Sequence, residues 1–278
     1  MSLPIFFAVL AAALLHALWN ALVRLGGSKI RAMAMLSLAE AGVGLAIVLA
    51  RPLPAAAAWP WLVASCGLQV AYKTFLAHAY EAGDLSRVYP ISRGTAPMLV
   101  AIVSALFAID PIAPAGYLGV AVLASGILFM AHGVFTDGES RRLLPFALGA
   151  ALSTASYTLV DGIGARVSGD AAGYVGWLMM GSGLIFALAA PAWRGPAMLR
   201  GSARDWLFAA LGAAASYGAY AISIWAMTRA PIALVAVLRE TSILFAVLIG
   251  WLVFHERMTR TKAVAAALIV TGVVLTRL

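Results

Sequence analysis

Apolar runs of about 20 residues, the length that carries an α-helix across roughly 30 Å of hydrocarbon at 1.5 Å per residue, can be marked ten times along this chain. They cover 4–24, 31–50, 59–80, 87–109, 114–134, 143–164, 171–191, 205–228, 231–254 and 261–277. In lipid every backbone N–H and C=O must find a partner inside its own segment, so the runs predict helices. Strands of an outer-membrane barrel would be shorter and would alternate polar with apolar residues. Charged residues make up only 11% of the chain and hydrophobic residues 63%, whereas about a quarter of a soluble domain is charged. The expected fold class is therefore an all-α membrane protein of ten transmembrane helices.

A second feature divides the chain. Trp61 to Tyr80 returns 145 residues later as Trp206 to Trp225: Trp61 meets Trp206, Leu62 meets Leu207, Ala64 meets Ala209, Gly67 meets Gly212 and Tyr72 meets Tyr217. With small shifts the match spreads outward, Trp19 falling on Tyr157, Arg93 on Arg239, Phe107 on Phe254 and Gly126 on Gly272. Self-similarity of this kind dictates architecture before any single motif does. The expected organisation is a five-helix repeat over 3–134, a linker loop over 135–142 and a second five-helix repeat over 143–277. Because each half holds an odd number of spans, the second must enter the membrane from the opposite side. That makes an inverted repeat around a central cavity, an arrangement many secondary transporters share.

Orientation follows from the loops. Twelve basic residues (Arg24, Lys29, Arg31, Arg87, Arg141, Arg142, Arg194, Arg200, Arg204, Arg257, Arg260 and Lys262) fall on one set of loops and span ends, and four (Arg51, Arg166, Arg229 and Arg277) on the other. Positive charge stays in the cytoplasm, so the chain is expected in the inner (plasma) membrane with both termini periplasmic. Scattered in this way, the net charge of +8 lacks the gathered basic face that nucleic acid requires. Met1 to Pro4 carries no basic region of a cleavable signal, and the single cysteine, Cys66, lies inside an apolar run and excludes a disulfide framework. Runs of small residues such as Gly42-Val43-Gly44, Gly181-Ser182-Gly183 and Gly212 to Ala215 read as close helix contacts.

Ionisable groups inside spans are costly and mark a cavity or a partner. Five stand away from the span ends: Glu40, Lys73, Arg93, Arg239 and Glu240. At 1.5 Å per residue Arg239 and Glu240 lie roughly 12 to 14 Å deep and Arg93 roughly 9 Å. Lys73 divides between substrate contact and a structural pair, and Glu40 reads as structural. Around them, His16, Trp19 and Asn20 share one helix face, with Tyr157 in the matching place of the second half, and Gln69 and Lys73 share another next to Tyr72; Tyr72, Tyr217 and Tyr220 lie too deep for interfacial anchoring. The substrate-binding candidates are thus His16, Trp19, Asn20, Gln69, Tyr72, Lys73, Tyr157, Tyr217 and Tyr220, in an aromatic cavity between spans 1, 3, 6 and 8, together with Arg239 of span 9. Gating or coupling candidates are Glu40, Arg93, Glu240 and the prolines of span 4, Pro90 and Pro97, of which Pro97 predicts a kink. No nucleotide-binding loop, HExxH helix or GxSxG elbow is present. His16, His78, His132 and His255 lack metal-ligand spacing, so no enzyme, metal or cofactor is expected.

Ten spans in two halves, each half closing in an Ala/Gly-rich helix (Gly126, Gly272) after a short acidic loop (Ile109-Asp110, His255-Glu256), resemble the EamA-type branch of the drug/metabolite transporter superfamily. The aromatic cavity and the length look most like the YddG-type aromatic amino-acid exporters. That resemblance implies export of aromatic and other neutral amino acids from the cytoplasm by alternating access, through a cavity of spans 1, 3, 4, 6, 8 and 9. By position it would take in Trp19, Tyr72, Lys73, Tyr157, Tyr217 and Arg239. A proton-coupled multidrug or organic-cation exporter is the alternative, with Glu40 or Glu240 as its carboxylate. Since the duplication lets one chain enclose a cavity, a monomer is expected, with small molecules and the bilayer as partners.

Overall fold

The computed structural model describes residues 1–25, 29–82, 85–130, 142–253, 255 and 259–276, giving the backbone alone for 24, 29, 80–82, 85–91, 130, 196 and 262. The linker expected over 135–142 lies outside the described residues except for Arg142, as do residues 131–134 and the side chain of Pro90. Every long element is helical: α1 (Leu3–Leu25), α2 (Lys29–Ala50), α3 (Trp59–Ala82), α4 (Leu85–Leu106), α5 (Pro114–Met130), α6 (Leu143–Ser168), α7 (Ala171–Arg194), α8 (Ala203–Met227), α9 (Ile232–Arg239), α10 (Ser242–Leu252) and α11 (Arg260–Leu275). Counting α9 and α10 as one broken span, these are ten rods at the places the apolar runs predict. Among the described residues six stretches are both long and apolar enough to cross a membrane: Leu3–Val23, Ile30–Ala50, Leu143–Ser168, Ala171–Arg194, Ala203–Met227 and Ile232–Leu252. Shorter apolar helices run over Ser92–Leu106, Pro114–Phe129 and Ala263–Leu275, and α3 carries Gln69, Tyr72 and Lys73 in its middle.

Two departures from the sequence expectation bear on the site. The prolines of span 4 do not interrupt it, because α4 is one helix through both Pro90 and Pro97. The break falls in span 9, which has no proline there, at Glu240–Thr241. Thr241 Oγ1 donates to the Leu238 carbonyl at 2.7 Å, and Glu240 N and Thr241 N reach back three residues, to Val237 O and Leu238 O. A side chain that captures a backbone carbonyl and a tightened turn end the regular ladder together. The second departure is length. α6 runs four residues past the expected end, to Ser168, and stops at Gly169 in the left-handed region (φ 76°).

The helices pack in specific pairs: α2 on α7, α5 on α11, α3 on α6 and α1 on α8. Where α2 crosses α7 the backbones touch. A Cβ on Gly44 would stand 2.6 Å from Gly176 O, and one on Gly183 2.5 Å from Ser37 O. The α5–α11 crossing repeats this, with a Cβ on Gly119 falling 2.7 Å from Gly272 O. Small residues replace a hydrophobic drive that lipid cannot supply. Gly42, by contrast, faces open space, and Gly181 borders only the Cys66 sulfur. Large apolar side chains such as Leu49, Val63, Leu106 and Leu188 point outward, while Tyr174, Leu178, Ile224, Ile232 and Leu238 fill the interior.

Candidate functional site

Six charged side chains are buried among the described residues: Glu40, Lys73, Arg93, Asp161, Arg239 and Glu240. Isolated charge inside a bundle is expensive, so each must be assigned a partner. Lys73 of α3 meets Glu40 of α2 with Nζ–Oε2 at 2.9 Å. Lys73 Nζ also donates to Ser37 Oγ at 3.0 Å, and Ser216 Oγ of α8 donates to Glu40 Oε1 at 2.8 Å. Both carboxylate oxygens are engaged, and the ammonium is held from two sides. Arg93 of α4 meets Glu240, at the break in span 9, with Nε–Oε2 at 3.0 Å. Both side chains are nearly inaccessible, at 3% and 5% exposure.

Arg239 and Asp161 are held differently. Arg239 makes no salt bridge among the described residues; its guanidinium lies over the Tyr220 ring, 5.2 Å from the centroid, the geometry of a cation–π contact. Asp161 of α6 is fully buried, with no Lys or Arg paired to it among the described residues. Its Oδ1 accepts the Tyr174 hydroxyl at 3.0 Å, and its Oδ2 accepts the Tyr220 hydroxyl in a short contact. Ser65 and Gln69 of α3 lie beside the same carboxylate. Tyr220 therefore carries one charge on its ring face and the other at its hydroxyl.

Aromatic rings continue from there. Tyr157 meets Tyr220 edge-on at 6.2 Å and 71°, and Tyr72 meets Tyr157 at 5.7 Å and 74°, the T-shaped arrangement that ring quadrupoles favour. Beside them a small, water-sized cavity opens between α4, α6 and α9, lined in part by Arg93, Pro97, Thr154, Thr158, Arg239 and Glu240. Thr154 Oγ1 is buried there without a hydrogen-bond partner among the described residues. On α1, Trp19 Nε1 donates to His16 Nδ1 at 3.2 Å and Asn20 Nδ2 to His16 O at 2.8 Å. This face lies on the side of α1 near Arg93 and Arg239.

Of the sequence-derived candidates, the structure thus gathers Gln69, Tyr72, Tyr157, Tyr220 and Arg239 into one region bordered by His16, and ties Lys73 into a separate ion pair. Tyr217 stands apart, its hydroxyl donating to Ala172 O at 3.1 Å near the start of α7. Asp161 and Tyr174 escaped the sequence reading. Ending the sixth run at 164 put Asp161 in a last turn, whereas seven residues of helix follow it, about 10 Å. Its spacing of four from Tyr157, one helix face, was the available signal.

At the end of the bundle away from most basic residues, Arg166 closes a bidentate pair with Asp110, Nη1–Oδ1 and Nη2–Oδ2 both 2.9 Å. Arg166 Nε and Nη2 also donate to Met227 O at 2.9 Å and Ala230 O at 3.2 Å, and Asp110 Oδ2 accepts from Ile232 N at 2.9 Å. One clasp joins the segment after α4, the end of α6 and the turn between α8 and α9. It lies one to two turns along α6 from Asp161.

No curated protein matches this chain. A protein of known crystal structure has the same fold, with a TM-score of 0.77 and 20% identity over 99% of this chain and 96% of its own. Residues 142–278, which hold α6 through α11, match the EamA-like transporter family, of the drug/metabolite transporter superfamily, and it is to these membrane transporters of small molecules that the chain is similar.

Proposed function

We propose that the protein is a secondary transporter that exports amino acids, aromatic and other neutral ones, from the cytoplasm by alternating access of two inverted halves. The observation that carries this reading is a charge remainder. Lys73 cancels Glu40 and Arg93 cancels Glu240, which leaves Arg239 and Asp161 at the ring face and the hydroxyl of one tyrosine. An amino acid is an anion and a cation a few ångströms apart with a side chain between. Arg239 suits its carboxylate, Asp161 its ammonium, and Tyr72, Tyr157 and Tyr220 an apolar or aromatic side chain.

The helix pairing supports the inverted repeat. A two-fold axis that exchanges span 1 with 6, 2 with 7, 3 with 8, 4 with 9 and 5 with 10 maps the α2–α7 and α5–α11 contacts onto themselves. It maps α3–α6 onto α8–α1, the other pair that packs closely. The loop charges then favour a cytoplasmic side at the Arg31, Arg194 and Arg204 end, with the Asp110–Arg166 clasp on the periplasmic side. For an organic-cation exchanger the two glutamates first expected to serve are engaged by Lys73 and Arg93, and Arg239 would repel a cation.

Counterflow in proteoliposomes tests the reading. Purified protein should exchange L-phenylalanine and L-leucine and leave tetraphenylphosphonium outside, and the reverse selectivity would overturn it.

A further inference from the structure

We propose that Asp161 is a proton-exchange site, a carboxylate that the substrate ammonium and a proton occupy in turn, so that export is coupled to proton entry. The inference rests on the amino-acid reading above and adds the coupling ion. It begins from a difference among the three buried carboxylates. Glu40 and Glu240 each face a cation, and a cation in contact opposes protonation by favouring the charged form. Asp161 faces two tyrosine hydroxyls, with Ser65 and Gln69 of α3 beside it. A hydroxyl donates or accepts, so when a proton arrives on Oδ2 the Tyr220 hydroxyl turns and accepts from it, and the hydrogen bond survives in both states.

The other charges around it are arranged to permit the change. From α3, Cys66 and Lys73 face this region, the latter held by Glu40. From α9 comes Arg239, separated from Asp161 by the Tyr220 side chain, and Arg93 of α4 answers Glu240. Arg166, on the same helix, is spent on Asp110. One negative charge thus remains to be met, by substrate or by proton. Its place matters as well, because the clasp lies about 7.5 Å further along α6 at 1.5 Å per residue. Release of the clasp would open Asp161 to the side on which the ammonium leaves and a proton takes its place. On the opposite side that proton departs to water and the next ammonium enters, giving one proton inward for each amino acid outward.

Two measurements decide it. In pH-difference infrared spectra of the purified protein in lipid, the wild type should show a buried carboxylic C=O band that disappears as pH rises, and Asp161→Asn should lack it. A band present in both, or no pH-dependent band in the wild type, would overturn the assignment. Should Asp161→Asn fail to fold, Tyr220→Phe keeps the carboxyl and removes one hydroxyl, and should shift the frequency of that band; an unshifted band would count equally against it. In proteoliposomes with trapped pyranine, efflux of L-phenylalanine should acidify the lumen by about one proton per amino acid. Phenylalanine counterflow in which efflux moves no protons would sink the coupling and spare the substrate reading. Absence of counterflow with the infrared band intact would remove the substrate reading and leave Asp161 as a proton site.

Discussion

Glu40 and Asp161 are both carboxylates buried in the same bundle, yet their surroundings oppose each other. Glu40 is met by the Lys73 ammonium at 2.9 Å and the Ser216 hydroxyl at 2.8 Å, and that ammonium is held in turn by Ser37. Asp161 is met by two phenols, with the Ser65 hydroxyl and the Gln69 amide beside it. The first arrangement fixes a charge and sews α2, α3 and α8 together. The second holds a charge with groups that do not depend on its sign. Burial alone therefore does not tell the two carboxylates apart; the chemistry of the partner does.

The comparison can be broken by removing charges one at a time. Lys73→Ala should have the largest effect, lowering stability by about 3–5 kcal/mol because Glu40 is left charged and unanswered, read as a fall in melting temperature of the purified protein. The double change Lys73→Met with Glu40→Leu should recover most of that loss, since neither charge remains to be buried. Arg239→Gln should slow amino-acid counterflow by roughly tenfold or more, the worth of a charge-assisted hydrogen bond of about 1.5–3 kcal/mol, with little change in melting temperature. Asp161→Asn orphans no opposite charge and should cost only about 0.5–1.5 kcal/mol of stability, one ordinary hydrogen bond. A loss as large as that of Lys73→Ala would erase the distinction drawn above. Smallest is Asp110→Asn, where a partly exposed pair contributes about 0.2–1 kcal/mol; thermal scans should barely register it.

Much of the frame was legible in the chain. Helix positions followed from apolar run length, and the close approaches of Gly44 to Gly176, of Gly183 to Ser37 and of Gly119 to Gly272 fit the expectation that small residues mark crossings. What escaped was local chemistry acting at a distance. α4 runs on as one helix past Pro97, while span 9, which has no proline there, breaks at the Thr241 side chain. Hydropathy gives no warning of that. The partners of Lys73 and Arg93 lie 33 and 147 residues away in sequence (73 − 40 and 240 − 93), so no periodicity could name them. Asp161 was lost to a boundary drawn four residues early, at the point where a flanking glycine and an arginine dilute the apolar signal.

The bare backbone contact between α2 and α7 has a mechanical corollary. Where Gly44 and Gly183 press against the opposite main chain, no side chain is available to bend aside, and sliding along that seam would drive atoms into one another. These two helices, with α5 and α11, are suited to act as the stator of the bundle. At the α3–α6 and α1–α8 crossings the neighbours of Gly149 and Gly218 are instead the side chains of Phe75 and Leu15, which can change rotamer, so the alternating access proposed above would move those four helices.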